Sequence, residues 1–393
     1  MIDSQKYDIA IVGAGIVGLT FACCFKNSRL RLAVVDKTFE PKAVQARVSA
    51  ITAVSQQSLE RLGAWSRIEA VHQGRFCSMR IFDHIANAPI QFNDNSLGQP
   101  HLGTIVANHI LQHALIQQAR SCSNIDFIAP VQCVAFHRIN AMYHQLQFLD
   151  HSAIDTQLLI GADGAHSFVR RHAGIQETYL QYPQSSLITT VTASRPHRMI
   201  AHQFFLKTGP LAFLPLYESN CYALVWSTLP QQALVLQTLS VAEFCKMLTE
   251  TTKGCLGQIT QADACSVVPT IAMRHSYCYV QDHLALLGDA AHTMHPLAGQ
   301  GANLGIADAL CLADVIQTAE KKQRSIAALY TLQRYERQRR LTNASMLRAV
   351  DFLYQLFTSE RTILQKTRGF CLNFLDRNTF LKKCLSYYAG GVV

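Results

Sequence analysis

The chain opens with short apolar runs separated by a Gly-rich break. Tyr7 to Val12 reads as a buried strand, Ile16 to Asn27 as a helix and Leu30 to Val35 as a second strand, together one βαβ unit that begins a doubly wound sheet. Val48 to Ala70 is helical in pattern, and Ile105 to Ala119 predicts another helix with apolar positions at Ile105, Ile110, Leu111, Leu115 and Ile116. Between about His72 and Pro100, and again from about Tyr179 to Val268, β-type segments dominate; Leu211 to Tyr217 and Cys221 to Ser227 flank a turn at Glu218-Ser-Asn220. The α/β pattern returns at Leu284 to Leu287 and in the helix after Gly301, and helices fill the remainder to about Tyr388. The α/β body is therefore expected to be discontinuous, with a β-rich domain inserted into it.

A chain of 393 residues with 49% hydrophobic content can bury a large core, and its length predicts two domains or one with a substantial insertion. No apolar stretch approaches the roughly 20 residues that cross a bilayer. The start of the chain has no basic segment followed by a long apolar run, so export is not expected. Thirteen cysteines include no CxxC pair, and 16 histidines include no HExxH, so disulfides and a metal site are not expected. The net charge of +9 raises nucleic acid as a partner, but from Arg334 to Lys383 there are 11 Lys/Arg against 4 Asp/Glu. The basic character is local to the C-terminal part, and no nucleic-acid partner is expected.

Chemistry enters with Gly13-Ala-Gly15-Ile-Val-Gly18 between strand and helix. Gly13 makes the tight turn, Gly15 lets a pyrophosphate approach the backbone, and Gly18 permits close helix–sheet packing. The helix N-terminus adds partial positive charge. Asp36 ends the next strand, where a carboxylate accepts from a ribose hydroxyl and repels a 2′-phosphate, so FAD or NAD suits the site better than NADP. Two later strands also stop at Gly/Asp turns: Gly161-Ala-Asp163-Gly164, and Gly288-Asp289 followed by Pro296, Gly299, Gly301 and Asn303. Asp289 suits a polyol, and the helix starting near Gly301 can aim its dipole at an electron-rich ring edge. Taken alone, Asp163 and Asp289 each also read as helix caps.

These segments resemble the single-component FAD-dependent aromatic hydroxylases that share the p-hydroxybenzoate hydroxylase fold. Arg47-Val-Ser-Ala-Ile51, Leu62-Gly-Ala-Trp65, Leu102-Gly-Thr-Ile-Val106, Phe213-Leu-Pro-Leu216, Val225-Trp226-Ser227 and His295-Pro-Leu-Ala-Gly-Gln-Gly301 resemble the ubiquinone-biosynthesis hydroxylases of the VisC/UbiH type. The resemblance implies a discontinuous Rossmann-like FAD-binding domain at 1–72, 101–178 and 269–340, a β-rich substrate domain at 73–100 and 179–268, and C-terminal helices at 341–393. It implies that Arg47 and Asn108 lie against the flavin, that Asp289 binds the ribityl chain, and that Pro296 packs at the reacting face. The DG pair, Asp163 and Gly164, surrounds the same FAD. Ala107 departs from the glutamate usual in the subgroup, and Asp36 stands where Glu is commoner. His292 and His295 read either as a general base or, more in keeping with a helix entry, as structural residues.

By this resemblance a transient NAD(P)H reduces FAD, O2 adds as a C4a-hydroperoxide, and one oxygen reaches the ring of a polyprenylated phenol in ubiquinone biosynthesis. The implied setting is a cytoplasmic protein peripheral on the inner membrane, near other ubiquinone-biosynthesis proteins. The basic C-terminal helices, with Leu353, Leu356, Phe357, Phe370, Phe374 and Leu375 beside Arg361, Lys366 and Arg368, either rest on anionic lipid or a partner, or cap the core with solvated faces. Two other functions stay open: hydroxylation of a small soluble aromatic compound, and a flavin-binding scaffold in a quinone-synthesis complex.

Overall fold

The structure, a computed structural model, describes residues 5–40, 47–83, 89–93 and 101–358. Its organising element is an eight-stranded sheet whose parallel centre runs Leu284–Leu286, Ala153–Gly161, Gln5–Val12, Leu32–Val35 and Ile125–Ile128. The strand Leu32–Val35 is buried at every position, as expected of a strand inside a parallel sheet. On one face pack the helices Ile16–Cys23, Asn108–Arg120 and Gly301–Lys321, and one continuous apolar core unites them with the sheet. Register aligns Val12 with Gly161 and Val35, and Gly161 with Leu286. Four carboxyl ends therefore open on the same edge, where doubly wound sheets receive ligands.

A second eight-stranded sheet is built mainly from antiparallel strands in the order Ile259–Ala262, Ser185–Ala193, Cys221–Thr228, Gly209–Pro215, Ile200–Leu206, Ser78–Asp83 and Ile90–Asn93, with Ser266–Val268 beside Ser185–Ala193. One face is sealed by the helices Pro230–Thr238 and Val241–Thr251 over a separate core that contains Leu187, Phe213, Tyr222 and Trp226. Trp226 and Tyr222 are thus core residues. Two three-stranded sheets join the halves: Val48–Thr52 with Gly103–Ala107 and Gly74–Phe76, and Glu177–Tyr182 with Ile271–Ser276 and His292–Thr293. They straddle the boundaries drawn from the sequence at residues 73 and 179.

Two helical expectations change. Val48–Thr52 is a strand, and only Ala53–Leu62 is α-helical, capped by Thr52, which accepts from the Ser55 N–H, and ended at Gly63 in the left-handed region. Likewise Ile105 belongs to the strand Gly103–Ala107, and the helix begins at Asn108. The last described element is a long helix, Leu329–Thr358. Phe357, left open between an outer apolar face and the core, is buried and stacks on Phe205 of the second sheet at 3.6 Å. Residues 359–393, including Arg361, Lys366, Arg368, Phe370, Phe374 and Leu375, lie outside the described residues. No described helix is long and apolar enough to cross a membrane.

Candidate active site

Close glycine contacts bring the three expected motifs together. Gly13 has φ +111°, and a side chain there would collide with the backbone of Ala162; one at Gly18 would strike the Gly13 carbonyl and approach the Ala162 Cβ at 3.2 Å. The first glycine loop is therefore seated on the Gly161–Gly164 turn. Val17, on the helix after that loop, is the neighbour that side chains at both Gly288 and Gly305 would meet. This places the Gly288–Asp289 turn and the Gly301–Lys321 helix on the opposite flank of the same loop.

Gly15 and Gly301 differ from these in an informative way. A Cβ at either would meet no protein atom within 4 Å, and neither has a left-handed φ. Neither packing nor conformation of the chain itself calls for glycine there. Both stand at helix N-termini that no side chain caps. Bare, open N–H groups at two helix starts fit an anionic and electron-rich ligand laid across them, so the residues present suit a dinucleotide with a second polar ring system.

The carboxylates play distinct parts. Asp36 accepts from the Ala14 N–H at 2.6 Å and from the Lys37 N–H at 2.6 Å, which fixes it beside the glycine loop. Asp163 accepts from Ser167 Oγ at 2.5 Å and from the Phe168 and Val169 N–H groups, so its side chain caps the helix Phe168–His172. Gly164 follows at φ +81° and completes that turn. Asp289 is exposed to solvent yet surrounded by protein, as on the wall of a cleft; the surrounding mass pushes its carboxyl pKa up, while His292 and Arg47 pull it down. A side chain at Gly299 would meet the Ala50 Cβ at 3.4 Å, which puts the segment that follows Asp289 beside the Val48–Thr52 strand. Asn108 lies beside it, its N–H bonded to the Arg47 carbonyl at 2.9 Å and its Oδ1 accepting from Ser49 Oγ at 2.7 Å. Asn303 accepts from the Thr52 N–H at 3.0 Å and donates to the Ala50 carbonyl at 2.8 Å. Its amide thus completes the strand edge and holds that strand against the helix start instead of facing the open loop. Pro296 is exposed in the short turn Pro296–Ala298, and Gly299 closes the turn at φ +60°.

Three charged residues that the sequence left without a role hold this frame. Asp308, with no exposed surface, accepts from His292 Nε2 at 2.5 Å, Arg339 Nε at 2.7 Å, Asn343 Nδ2 at 3.0 Å and the Gly288 N–H. Burial raises its pKa, but His292 and Arg339 outweigh that and keep the carboxyl below its ordinary value. Arg170, 2% exposed, donates to the Ala290 and Ala165 carbonyls and pairs with Glu177, tying the two Gly/Asp turns together. A sequence signal existed for Asp308: it follows Gly301, Leu304 and Gly305 on the helical stripe that continues to Leu312, a lone acid on a buried face. His292 and His295 are both buried and hydrogen-bonded within the protein, as structural residues are.

Beyond Pro296, Leu297 joins a small apolar cluster with Ile81, Phe92 and Phe205 of the second sheet and Phe357 of the long helix. The open face of that sheet is thereby brought to the loop after Asp289, so a ring held over one would lie against the other.

Known proteins share the family and the fold. Residues 6–350 match the FAD binding domain family. The 3-demethoxyubiquinol 3-hydroxylase of Escherichia coli is 33% identical over 99% of this chain and all of that protein. Ubiquinone hydroxylase UbiL of Rhodospirillum rubrum is 30% identical over 98% of this chain and 90% of that protein. Among solved structures, the p-nitrophenol 4-monooxygenase PnpA of Pseudomonas putida DLL-E4 shares the fold at TM-score 0.78 and 16% identity, with 97% of both chains covered. The chain therefore belongs to the FAD binding domain family, within the FAD-dependent monooxygenases that include these ubiquinone hydroxylases.

Proposed function

We propose that this protein hydroxylates the aromatic ring of a polyprenylated phenol in ubiquinone biosynthesis, using FAD, O2 and a transient NAD(P)H. The observation that carries this reading is that the strand after Arg47 packs against the Pro296–Gly301 segment that follows Asp289, in a chain similar from end to end to a demethoxyubiquinol hydroxylase. Gly13, Gly15 and Gly18, with the helix start behind them, hold the pyrophosphate; Asp36 takes the ribose; and Asp289 takes the ribityl chain. Asp163 and Gly164 shape the turn beneath the glycine loop, and Asn303 sets the strand that carries Arg47. Arg47 and Asn108 flank the ring system, and Gly299 and Gly301 leave backbone N–H groups facing its polar edge.

Bound FAD supplies the redox chemistry: two electrons from NAD(P)H reduce O2, one oxygen enters the ring and the other leaves as water. The chain supplies position and dryness. Pro296 packs at the reacting face, and the Leu297, Phe205 and Phe357 cluster excludes water from it. Substrate-dependent NAD(P)H oxidation tests the reading. Acceleration by a polyprenylphenol and not by hydroxybenzoate is the expected result; the reverse preference favours a small soluble substrate, and no acceleration by either favours a scaffold.

The membrane contact of this reading falls on the long helix. One face of Leu329–Thr358 carries exposed Tyr330, Arg334, Arg337, Leu341, Arg348 and Phe352, with Leu341 76% and Phe352 63% exposed. Basic and large apolar groups on one helical face suit reversible binding to an anionic lipid surface, where the tail of such a substrate resides.

A further inference from the structure

His295 sits immediately before Pro296 and is 1% exposed. Both of its ring nitrogens are engaged. Nδ1 lies 3.1 Å from the Leu297 N–H, and Nε2 lies 3.0 Å from Oε1 of Gln184. Gln184 in turn donates from Nε2 to the Thr208 carbonyl at 3.1 Å, and its own carbonyl accepts from the Ile271 N–H.

The direction of every bond in this chain is fixed by its ends. A backbone N–H can only donate, so Nδ1 of His295 carries no proton. A backbone carbonyl can only accept, so the Gln184 amide must present its NH2 to Thr208 and its oxygen to the histidine. His295 is then the neutral tautomer with its proton on Nε2. Burial favours the same state, lowering its pKa to about 4. The rings of Tyr182 and Tyr354 enclose it at 5.0 and 5.2 Å between centroids, so the imidazole has one orientation.

The two ends belong to different halves of the molecule. Leu297 is in the turn that follows Asp289, whereas Gln184 and Thr208 precede the strands Ser185–Ala193 and Gly209–Pro215 of the second sheet. We propose that His295 is a positioning residue that couples the second sheet to the Pro296–Ala298 turn, so that the state of the substrate sheet sets how firmly that turn is held. The consequence for turnover rests on the hydroxylase reading above; the coupling itself does not. The buried Nε2–H needs an acceptor in any case, and the acceptor here comes from the other half of the molecule.

Amide hydrogen exchange of the FAD-loaded protein without substrate separates these roles, using His295→Phe, His295→Asn and Gln184→Met. Phenylalanine keeps the ring and removes both nitrogens, asparagine still caps the Leu297 N–H but falls short of Gln184, and Gln184→Met changes nothing in the turn itself. Coupling predicts at least tenfold faster exchange at Leu297 in all three. Wild-type exchange at Leu297 in Gln184→Met would overturn the proposal, and so would wild-type exchange in His295→Asn should the methionine variant fail to hold FAD. In turnover, Gln184→Met should release severalfold more peroxide per NAD(P)H oxidised at unchanged FAD content. A wild-type protein that oxidises no NAD(P)H with a polyprenylphenol would refute the substrate reading and leave the exchange result standing.

Discussion

At the level of single residues the account separates groups that meet the cofactor from groups that hold them in place. Asp289 is solvent-reached and makes no side-chain bond within the described structure, so Asp289→Ala should leave folding intact and weaken FAD retention about tenfold or more, roughly 1.4 kcal/mol per factor of ten. FAD content after gel filtration, beside an unchanged thermal midpoint of the FAD-free protein, checks this; full retention would remove Asp289 from the site. Arg170 is the opposite case. Arg170→Met leaves the Ala165 and Ala290 carbonyls without their donor and Glu177 with Arg274 alone, and should cost about 3 kcal/mol of unfolding free energy, read from urea denaturation. The glycines and acids that touch the ligand were legible because backbone approach and charge dictate residue type. Arg170 and Arg339 were not, because their partners, up to 120 residues away for Arg170, become neighbours only through the fold; Asp308 left a trace as the lone acid on a buried helical stripe, but its partners were not legible. Asp163 shows how one residue carries two signals: the acid after Gly161 reads both as part of the cofactor's surround and as a helix cap, and its carboxylate does cap the next helix.

At the level of elements, strands and helices bounded by glycine were readable, and junctions without such a break were not. The turn from Ala107 to Asn108 passes from extended to helical backbone with no Gly or Pro, so the apolar rhythm of Ile105 and Val106 merged with that of Leu111 and Leu115. The same happened at Thr52, a capping residue inside an apparent helical run. The long helix Leu329–Thr358 was read as basic and amphipathic, but which side faces outward needed the structure: Phe357 turns inward, while Leu341, Arg348 and Phe352 turn out. If that face meets lipid, Arg348→Glu with Phe352→Ser should reduce co-sedimentation with anionic vesicles severalfold. Each basic side chain is worth on the order of 1 kcal/mol there, and salt should weaken wild-type binding over about a Debye length. Equal sedimentation of variant and wild type would place the contact elsewhere.

At the level of the whole molecule, four histidines distributed over both halves share one response to acid. Burial lowers His144, His202, His275 and His295 to about 4, helped at His144 by His283, at His202 by Arg80 and at His275 by His292. The unfolded chain, with histidines near 6.5, binds more protons than the folded one between these values, so stability falls as pH drops from about 6.5 to about 4 and levels below that. Each tenfold difference in proton affinity is worth about 1.4 kcal/mol, so even partial burial predicts a loss of several kcal/mol. Asp289, pushed up, acts in the opposite sense but as one group against four. Urea midpoints from pH 8 to 4 check this, and a flat profile would contradict the buried neutral state of these rings. The central claim, that this protein inserts oxygen into an aromatic ring, has a more direct test. The FAD-loaded protein is supplied with NAD(P)H, a polyprenylphenol and isotopically heavy O2, and the product is analysed by mass spectrometry. The account predicts one heavy oxygen atom on the ring; label recovered only in peroxide and water, with the ring unchanged, would contradict it.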